Sequence, residues 1–347
     1  MTAWLLPTIT AVLALVFAIA LLDQWRTRRQ TFQLAWAIGM ALFGIGSASE
    51  AIAGAAGWSE TLYRTWYLTG AVLTPGWLGL GTAFLLSRTR FGYAYAFTLL
   101  LGGLFTFLTQ AKFHYEGAGA APILYFIVAA VLGLAVAAET YFQNERWPRI
   151  AAVGVVGATI LSLGLMATVV LPTPGFIVDP ATGQPVASLF PGSLRLLTPF
   201  LNVTGGLSLL FWALFSAYVF MPKRRVLEYS LDPGQPGDQF LFNLLIAPVA
   251  LAVNFVVSLP GAARELVAGR LHSRVPATIL IAIGAFIASA GDSLNRFGVT
   301  EMFAVAKLLS VVFLLAGFLV SIEVFRQFRI PFTGIQLGVA RREREPS

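Results

Sequence analysis

Uncharged apolar runs recur along this chain, each close to the roughly 20 residues that a helix needs to cross a bilayer. They are possible because the 347 residues include only 23 Lys and Arg and 16 Asp and Glu, while 57% of the residues are hydrophobic. Water-soluble domains carry about twice this share of charged residues. The sequence therefore predicts an all-α fold, a polytopic transmembrane helical bundle, and excludes a soluble domain.

The first 222 residues are predicted to form a subdomain of seven spans. These are Trp4–Leu22, Gln33–Ile52, Trp66–Ser87, Tyr93–Gln110, Ala121–Tyr141, Ile150–Leu171 and Leu196–Phe220. If the N-terminus is outside, the cytoplasmic loops hold Arg26, Arg28, Arg29, Arg88, Arg90, Arg146, Arg149, Lys223, Arg224 and Arg225. The opposite loops hold only Arg64, Lys112 and Arg195. Because cytoplasmic loops collect Lys and Arg, this contrast favours seven spans with the N-terminus outside.

A second membrane subdomain is expected after a cytoplasmic linker. Residues 223–238 mix basic residues with Pro233, Gly234, Pro236 and Gly237, a composition typical of a linker. Residues 239–325 contain three further apolar runs, and residues 326–347 form a basic tail. The runs are Phe240–Leu259, Val275–Ala290 and Met302–Val324.

The number of crossings depends on the run Phe240–Leu259. Its length and lack of charge favour ten crossings, which would leave the arginine-rich tail outside. The charge rule instead favours nine crossings and a re-entrant or interfacial element around Pro248. Asn243 and Asn254 share a helical face there, so these two residues and Pro248 are candidates for a helix break. Both arrangements stay open at this point.

Charged residues near the outer ends of the spans are the candidate ligand-binding residues, because charges in hydrocarbon are costly and usually face protein or water. We expect Glu50 and Arg64 to pair across a short outer turn, close to the aromatic Tyr67. A second group comprises Asp292, Asn295 and Arg296. With nine crossings both groups would lie around one outward-facing cavity, whereas with ten crossings the second group would be cytoplasmic.

Several site classes are excluded by residue counts. The chain has no cysteine and only two histidines, which rules out thiolate metal sites and multi-histidine cofactor sites. Lys307 lies within a span and suggests a retinal Schiff base, but no carboxylate counter-ion can be placed beside it from the sequence. We therefore expect no cofactor, no metal and no catalytic residues.

Two stretches carry a family resemblance. The segments YRTWYLTGAVLTPGWLGLGTAFLL at 63–86 and VPATILIAIGAFIASAGDSLNRFGVTEMFAVAKLLSVVFLLAGFLVSIEVF at 275–325 resemble a group of uncharacterised bacterial multi-span membrane proteins. This resemblance implies a multi-pass protein of the bacterial cytoplasmic (inner) membrane and carries no activity. The seven-span layout is also similar to the sensor regions of some histidine kinases, but this chain continues into further apolar runs and a basic tail.

These patterns predict a non-enzymatic integral membrane protein that binds a small apolar or amphipathic ligand, or a membrane partner, through the outer cavity. A secondary transporter with a broken helix around Pro248 and a lipid-modifying membrane enzyme are the alternatives. The expected partners are the lipid bilayer, with anionic lipid at the cytoplasmic face, and a second membrane protein. The net charge of +7 reflects arginines retained in the cytoplasm and does not indicate nucleic-acid binding.

Overall fold

The computed structural model describes residues 2–142, 145–180, 183, 185–232, 234, 237–296, 302–320, 328–329 and 336–337. Its helices are α1 (Thr2–Arg28), α2 (Thr31–Ala56), α3 (Glu60–Trp66), α4 (Thr74–Leu85), α5 (Phe91–Phe113), α6 (Ala121–Tyr141), α7 (Trp147–Thr168), α8 (Gly192–Arg195), α9 (Leu197–Phe220), α10 (Gly237–Val267), α11 (Arg274–Arg296) and α12 (Phe303–Val320). A π-helical segment, Tyr67–Leu73, joins α3 to α4, and a short 3₁₀-helix covers Ala187–Leu189. Two strands of two residues each, β1 (Phe328–Arg329) and β2 (Gln336–Leu337), pair antiparallel.

Ten helical stretches in the described chain are long and apolar enough to cross a membrane. They are Trp4–Arg28, Thr31–Ala56, Glu60–Leu85, Phe91–Phe113, Ala121–Tyr141, Trp147–Thr168, Gly192–Phe220, Gln239–Val267, Arg274–Asp292 and Phe303–Val320. Each coincides with one apolar run of the sequence. The prediction of an all-α, multi-pass membrane protein is confirmed at this level.

The bundle has two ends, which we name after one residue of each. At the Trp58 end, α2 finishes and α3 begins, and the indole of Trp58 contacts Tyr63 and Trp66 of α3. At the Tyr93 end, α4 finishes and α5 begins, and Trp147 at the start of α7 donates a hydrogen bond to Ser87 O. The direction of α9 follows, because Thr198 near its start contacts Tyr67 at the Trp58 end.

The last two helices extend this alternation. Arg274, the first residue of α11, lies over the ring of Phe220, the last residue of α9, so α11 starts at the Tyr93 end. Asp292, near the end of α11, accepts a hydrogen bond from Asn202 near the start of α9. Helix α12 then returns from the Trp58 end, where Lys307 lies near its start.

Glycines allow the central helices to approach closely. A Cβ atom on Gly79 of α4 would lie only 2.5 Å from the Cα of Gly205 on α9, so neither position has room for a side chain. Small residues at helix contacts allow such backbone approach in membrane bundles. Helices α2, α4, α5 and α9 pack in this way into the centre of the molecule.

The π-helical segment follows from Pro75. Proline has no N–H to donate and its ring clashes with the carbonyl four residues earlier, so an ordinary α-helix cannot continue through it undisturbed. The chain widens into a π-helix over Tyr67–Leu73, and Thr74 Oγ1 donates to Thr69 O at 2.7 Å. This places Trp66 and Tyr67 at the junction between two helical geometries.

The candidate helix break in α10 is not found. Helix α10 runs continuously from Gly237 to Val267 with Pro248 and Pro260 inside it. The run is also longer than the predicted Phe240–Leu259. A break at Pro248 is therefore wrong for this helix.

Candidate functional site: a buried ion pair and its aromatic wall

A buried ion pair joins α2 to α12 at the Trp58 end. Lys307 Nζ lies 2.8 Å from Glu50 Oε1, and the two side chains are only 11% and 5% exposed. Glu50 lies in the last two turns of α2, and Lys307 lies in the first turns of α12. A carboxylate or ammonium in such surroundings needs an opposite charge, since an unpaired ion in the bilayer interior is strongly unfavourable.

The same carboxylate oxygen accepts a second hydrogen bond. Trp66 Nε1 donates to Glu50 Oε1 at 2.6 Å, so two donors converge on one atom. Lys307 also lies 5.2 Å from the ring centre of Phe303 and 5.7 Å from that of Phe43. Aromatic faces attract a desolvated cation at these distances.

Two buried hydroxyls lie one helical turn from the charges. Ser47 precedes Glu50 by three residues on α2, and Ser310 follows Lys307 by three residues on α12. Their side chains are 0% and 1% exposed, and neither hydroxyl has a hydrogen-bond partner in the described part of the chain. Since buried polar groups in proteins are almost always hydrogen-bonded, each hydroxyl is able to accept a bond from water or a ligand.

Stacked aromatic rings form a wall beside the ion pair. Phe190 packs between Tyr63 and Tyr67, with ring centres 4.8 and 4.3 Å apart and ring planes nearly parallel. Trp66 continues the wall towards Glu50, with its ring 5.8 Å from that of Tyr63. Tyr67 also shares a hydrogen bond of 2.9 Å with Thr198.

Phe190 belongs to the proline- and glycine-rich connection between α7 and α8. Pro191 and Gly192 after it begin the short helix α8, and Tyr63 donates from its hydroxyl to Val186 O of the same connection. Phe190 is buried although it comes from a loop. The connection therefore covers the aromatic wall at the Trp58 end.

The predicted pair between Glu50 and Arg64 is wrong. Arg64 instead pairs with Glu60, one turn earlier on α3, at 2.6 Å. Its guanidinium also donates to Met166 O and Val169 O at 2.6 and 2.8 Å, at the end of α7. These carbonyls have no helical partner at a C-terminus, and the helix dipole makes them favourable acceptors for a cation.

The second predicted group is described only in part. Asp292 Oδ2 accepts from Asn202 Nδ2 at 2.8 Å and so connects α11 to α9. The side chains of Asn295 and Arg296 lie outside the described residues. Of the predicted ligand-binding residues, the structure brings Glu50 and Tyr67 to the same aromatic wall, Arg64 to the adjoining end of α7, and Asp292 to α9.

Asn254 has a structural role away from this site. Its Oδ1 accepts from Val226 N and Leu227 N at 2.8 and 3.0 Å, and its Nδ2 donates to Leu227 O at 2.8 Å. Asn243 also lies on α10. Both belong to an unbroken helix, which removes the observation that favoured a transporter with a discontinuous helix.

The sequence interpretation missed Lys307, Trp66 and Ser47. A usable signal was present, because Lys307 is a lysine within a span and Glu50 is an acid within another, and each needs an opposite charge. No carboxylate could be placed beside Lys307 from the sequence, and the structure places Glu50 there, at 2.8 Å. The sequence alone does not show that Glu50 and Lys307 meet, because their position at the same end of the bundle depends on the directions of α11 and α12.

Two further searches bear on chemistry. No group of three or more His, Asp or Glu residues suited to a metal ion occurs among the residues that the structure describes. An apolar crevice lies elsewhere, between α4, α5, α6, α7 and α9, and none of the predicted site residues lines it. Its lining comprises Gly76, Tyr95, Leu99, Leu132, Ala151, Gly154, Val155, Phe200, Leu201 and Thr204.

Comparison with protein-family models, with curated proteins and with solved structures finds no match for this chain.

Proposed function

We propose that this chain is a non-enzymatic membrane protein that binds a small amphipathic ligand at the Trp58 end of its bundle. The observation that carries this proposal is the buried Glu50–Lys307 pair, with a buried hydroxyl one turn from each charge that has no hydrogen-bond partner among the described residues. With the N-terminus outside, as the loop charges predict, this end faces away from the cytoplasm of a bacterial cell.

The chemistry of the site favours a ligand with an apolar body and an anionic head. Lys307 is the more exposed partner of the pair, so an incoming carboxylate reaches it more easily than an incoming cation reaches Glu50. The rings of Tyr63, Trp66 and Phe190 are buried against one another, so the apolar body reaches this aromatic wall by displacing Phe190 and the connection that carries it. Ligand sites commonly combine such aromatic surface with a few polar groups that fix the head.

In this proposal the ligand carboxylate takes the place of Glu50 as the partner of Lys307. A buried ion pair gains little over hydrophobic packing, because the desolvation of both charges offsets much of their attraction. Replacing Glu50 by a ligand carboxylate at Lys307 therefore costs less than creating a new buried charge, provided that Glu50 takes up a proton and so leaves no second charge unpaired. Ser47 and Ser310 supply the remaining hydrogen-bonding capacity.

Three probes with one chain length test the proposal: dodecanoate, dodecylammonium and dodecanol. The protein would be purified in lipid nanodiscs, and the unfolding temperature and tryptophan fluorescence would be recorded with each probe. We expect dodecanoate to raise the unfolding temperature most, because it alone offers an anion to Lys307. A quench or shift of tryptophan fluorescence should accompany binding, since Trp66 contacts Glu50.

The test variant is the double substitution Glu50→Gln, Lys307→Met, which removes both charges and leaves no buried ion alone. The matched control is Lys112→Met, which removes an exposed lysine at the end of α5. Dodecanoate should stabilise the wild type and the control but not the double variant. Equal stabilisation of all three proteins, or equal effects of the three probes, would refute binding at this site.

A further inference from the structure

The linker after α9 crosses the Tyr93 end of the bundle. It leaves α9 at Met221, and its far part is held by Arg90, at the start of α5, whose guanidinium donates to Leu231 O and lies 3.8 Å from Asp232. Tyr229 in this part of the linker is half-buried, and this burial raises the pKa of its phenol above the ordinary value. The linker thus connects the end of α9 to the start of α5 without leaving this end.

Helix α10 returns along the same path in the opposite direction. Near its start, the ring of Phe240 contacts Tyr93 at 5.8 Å and Tyr141 at 5.5 Å, at the start of α5 and the end of α6. Near its middle, Asn254 binds the backbone of the linker at residues 226 and 227. Further on, Ser258 Oγ accepts from Arg224 N at 2.9 Å.

The last turns of α10 reach the place where α9 ends. Ala262 packs in one buried cluster with Ala217, Tyr218 and Met221 of the α9 end and with Val275 at the start of α11. Phe240 and Ala262 are 22 residues apart, which is about 33 Å along a helix. Both nevertheless contact the Tyr93 end.

A crossing helix behaves differently. Helix α9 has Thr198 at the Trp58 end and Phe220 at the Tyr93 end, and these two residues are also 22 positions apart. Helix α10 covers the same distance within one end of the bundle. Its axis therefore runs across the bundle and not along it.

The two faces of α10 differ sharply in their surroundings. The face towards the protein is buried, and it comprises Phe240, Ala247, Ala250, Asn254, Ser258 and Ala262. The opposite face is apolar, and its large side chains are each at least 56% exposed: Leu241, Phe242, Leu245, Val249 and Val256. No charged residue occurs between Asp238 and Arg264.

We propose that α10 is an interfacial helix, which lies in the plane of the membrane at the Tyr93 end and inserts its exposed apolar face into the acyl chains of that leaflet. The occupant of this face is lipid hydrocarbon. Interfacial helices bury their apolar face about 5–10 Å into the boundary of headgroups and acyl chains. At the Tyr93 end, beside the ends of the membrane-spanning helices, α10 lies at this depth. The chain then crosses the membrane nine times.

The polar groups of α10 agree with this placement. Asn254 and Ser258 face the linker, which carries exposed Lys223, Arg224 and Arg225 at the level of the headgroups. Water and headgroups lie on that side, and hydrocarbon lies on the other. The inference rests on the contacts of α10 and the linker, and is independent of any ligand at the Trp58 end.

Label depth measures the placement directly, because the chain has no cysteine of its own. Single cysteines at Leu241, Val249 and Val256 would be labelled with bimane, and quenching by lipids brominated at different acyl positions would report the depth. Val131, in the middle of α6 and similarly exposed, is the matched deep control, and Ile123, near the start of α6, is the shallow control.

We expect the three α10 labels to have one shared, shallow depth, close to that of Ile123→Cys and clearly less than that of Val131→Cys. A crossing α10 would instead leave Leu241→Cys shallow and place Val249→Cys and Val256→Cys, on either side of the helix middle, about as deep as Val131→Cys. That result would overturn the proposal. Labels on α10 that are quenched by a water-soluble quencher but not by any brominated lipid would overturn it too, since lipid would then not be the occupant.

Discussion

The two ends of the bundle satisfy their buried polar groups in different ways. At the Trp58 end, Glu50 depends on Lys307, a side chain 257 residues away in the sequence. At the Tyr93 end, Asn254 depends on the backbone of Val226 and Leu227, only 28 and 27 residues away. Two charges held by each other are more sensitive to a single substitution than an amide held by backbone groups close to water.

The prediction with the largest expected effect on this comparison concerns the side of the membrane on which Ser293 and Ser347 lie. We expect Ser293→Cys, in the last turn of α11, to react with a membrane-impermeant thiol reagent from the same side as Glu116→Cys at the Trp58 end. Ser347→Cys should react from the opposite side, together with Lys223→Cys in the linker. These all-or-none outcomes follow from nine crossings, and labelling of intact cells followed by mass analysis measures them.

Ten crossings would reverse the assignment. Ser293→Cys would then share its side with Lys223→Cys, and the tail would share its side with Glu116→Cys. That pattern would separate Asp292 from Asn202, which the structure places in hydrogen-bond contact. It would also place the two ends of α10 on opposite sides.

The next effect concerns the ion pair itself. Glu50→Ala should destabilise the protein by about 3–5 kcal/mol, because it leaves the Lys307 ammonium buried without a partner. The double variant Glu50→Gln, Lys307→Met should lose much less. Reversible unfolding in mixed detergent would measure both free energies, and a double variant as unstable as the single one would show that the charges do not interact.

A smaller effect is expected at the Tyr93 end. Asn254→Ala removes three hydrogen bonds to the linker and should cost about 1–3 kcal/mol, since some of the freed backbone groups can bind water. Trypsin cleavage after Arg225 reports the release of the linker, and it should become faster. Asn254→Asp keeps the acceptor and should cleave at an intermediate rate, whereas cleavage equal to that of the wild type in both variants would contradict the role of Asn254.

The smallest loss of stability is expected for the exposed ion pair at the Trp58 end, Glu60–Arg64, in contrast to the buried pair Glu50–Lys307. Glu60 is 47% exposed and pairs with Arg64, which also binds two carbonyls of α7. Glu60→Gln should therefore cost less than about 1 kcal/mol, as exposed ion pairs usually do. A loss as large as that of Glu50→Ala, measured in the same unfolding experiment, would remove the distinction between the two carboxylates.

The sequence predicted the membrane helices well because their signal is local. Each uncharged run reports its own length, and no knowledge of neighbouring helices is needed to recognise it. The aromatic cluster around Tyr67 was likewise visible as aromatic residues near the end of a span. Phe190 was not, because nothing in a proline-rich connection shows which of its residues turns inwards.

Predicting the partners of the charged residues required knowledge of how distant helices pack, which the local sequence does not contain. Arg64 had two acidic residues within reach, and only the position of the α7 end decides for Glu60 over Glu50. Lys307 meets Glu50 only because α12 begins at the Trp58 end, which depends on the path of α10. The shared face of Asn243 and Asn254 was readable from their spacing, but the linker that covers Asn254 was not.

The ion pair also sets an order of assembly. During synthesis Glu50 emerges 257 residues before Lys307, an interval of about 13–50 s at typical elongation rates of 5–20 residues per second. Trp66 follows Glu50 after only 16 residues, so its indole N–H is the earlier of the two donors to reach the carboxylate. The first helices therefore insert with an acid that has one neutral partner, and arrival of the last helix completes its charge balance.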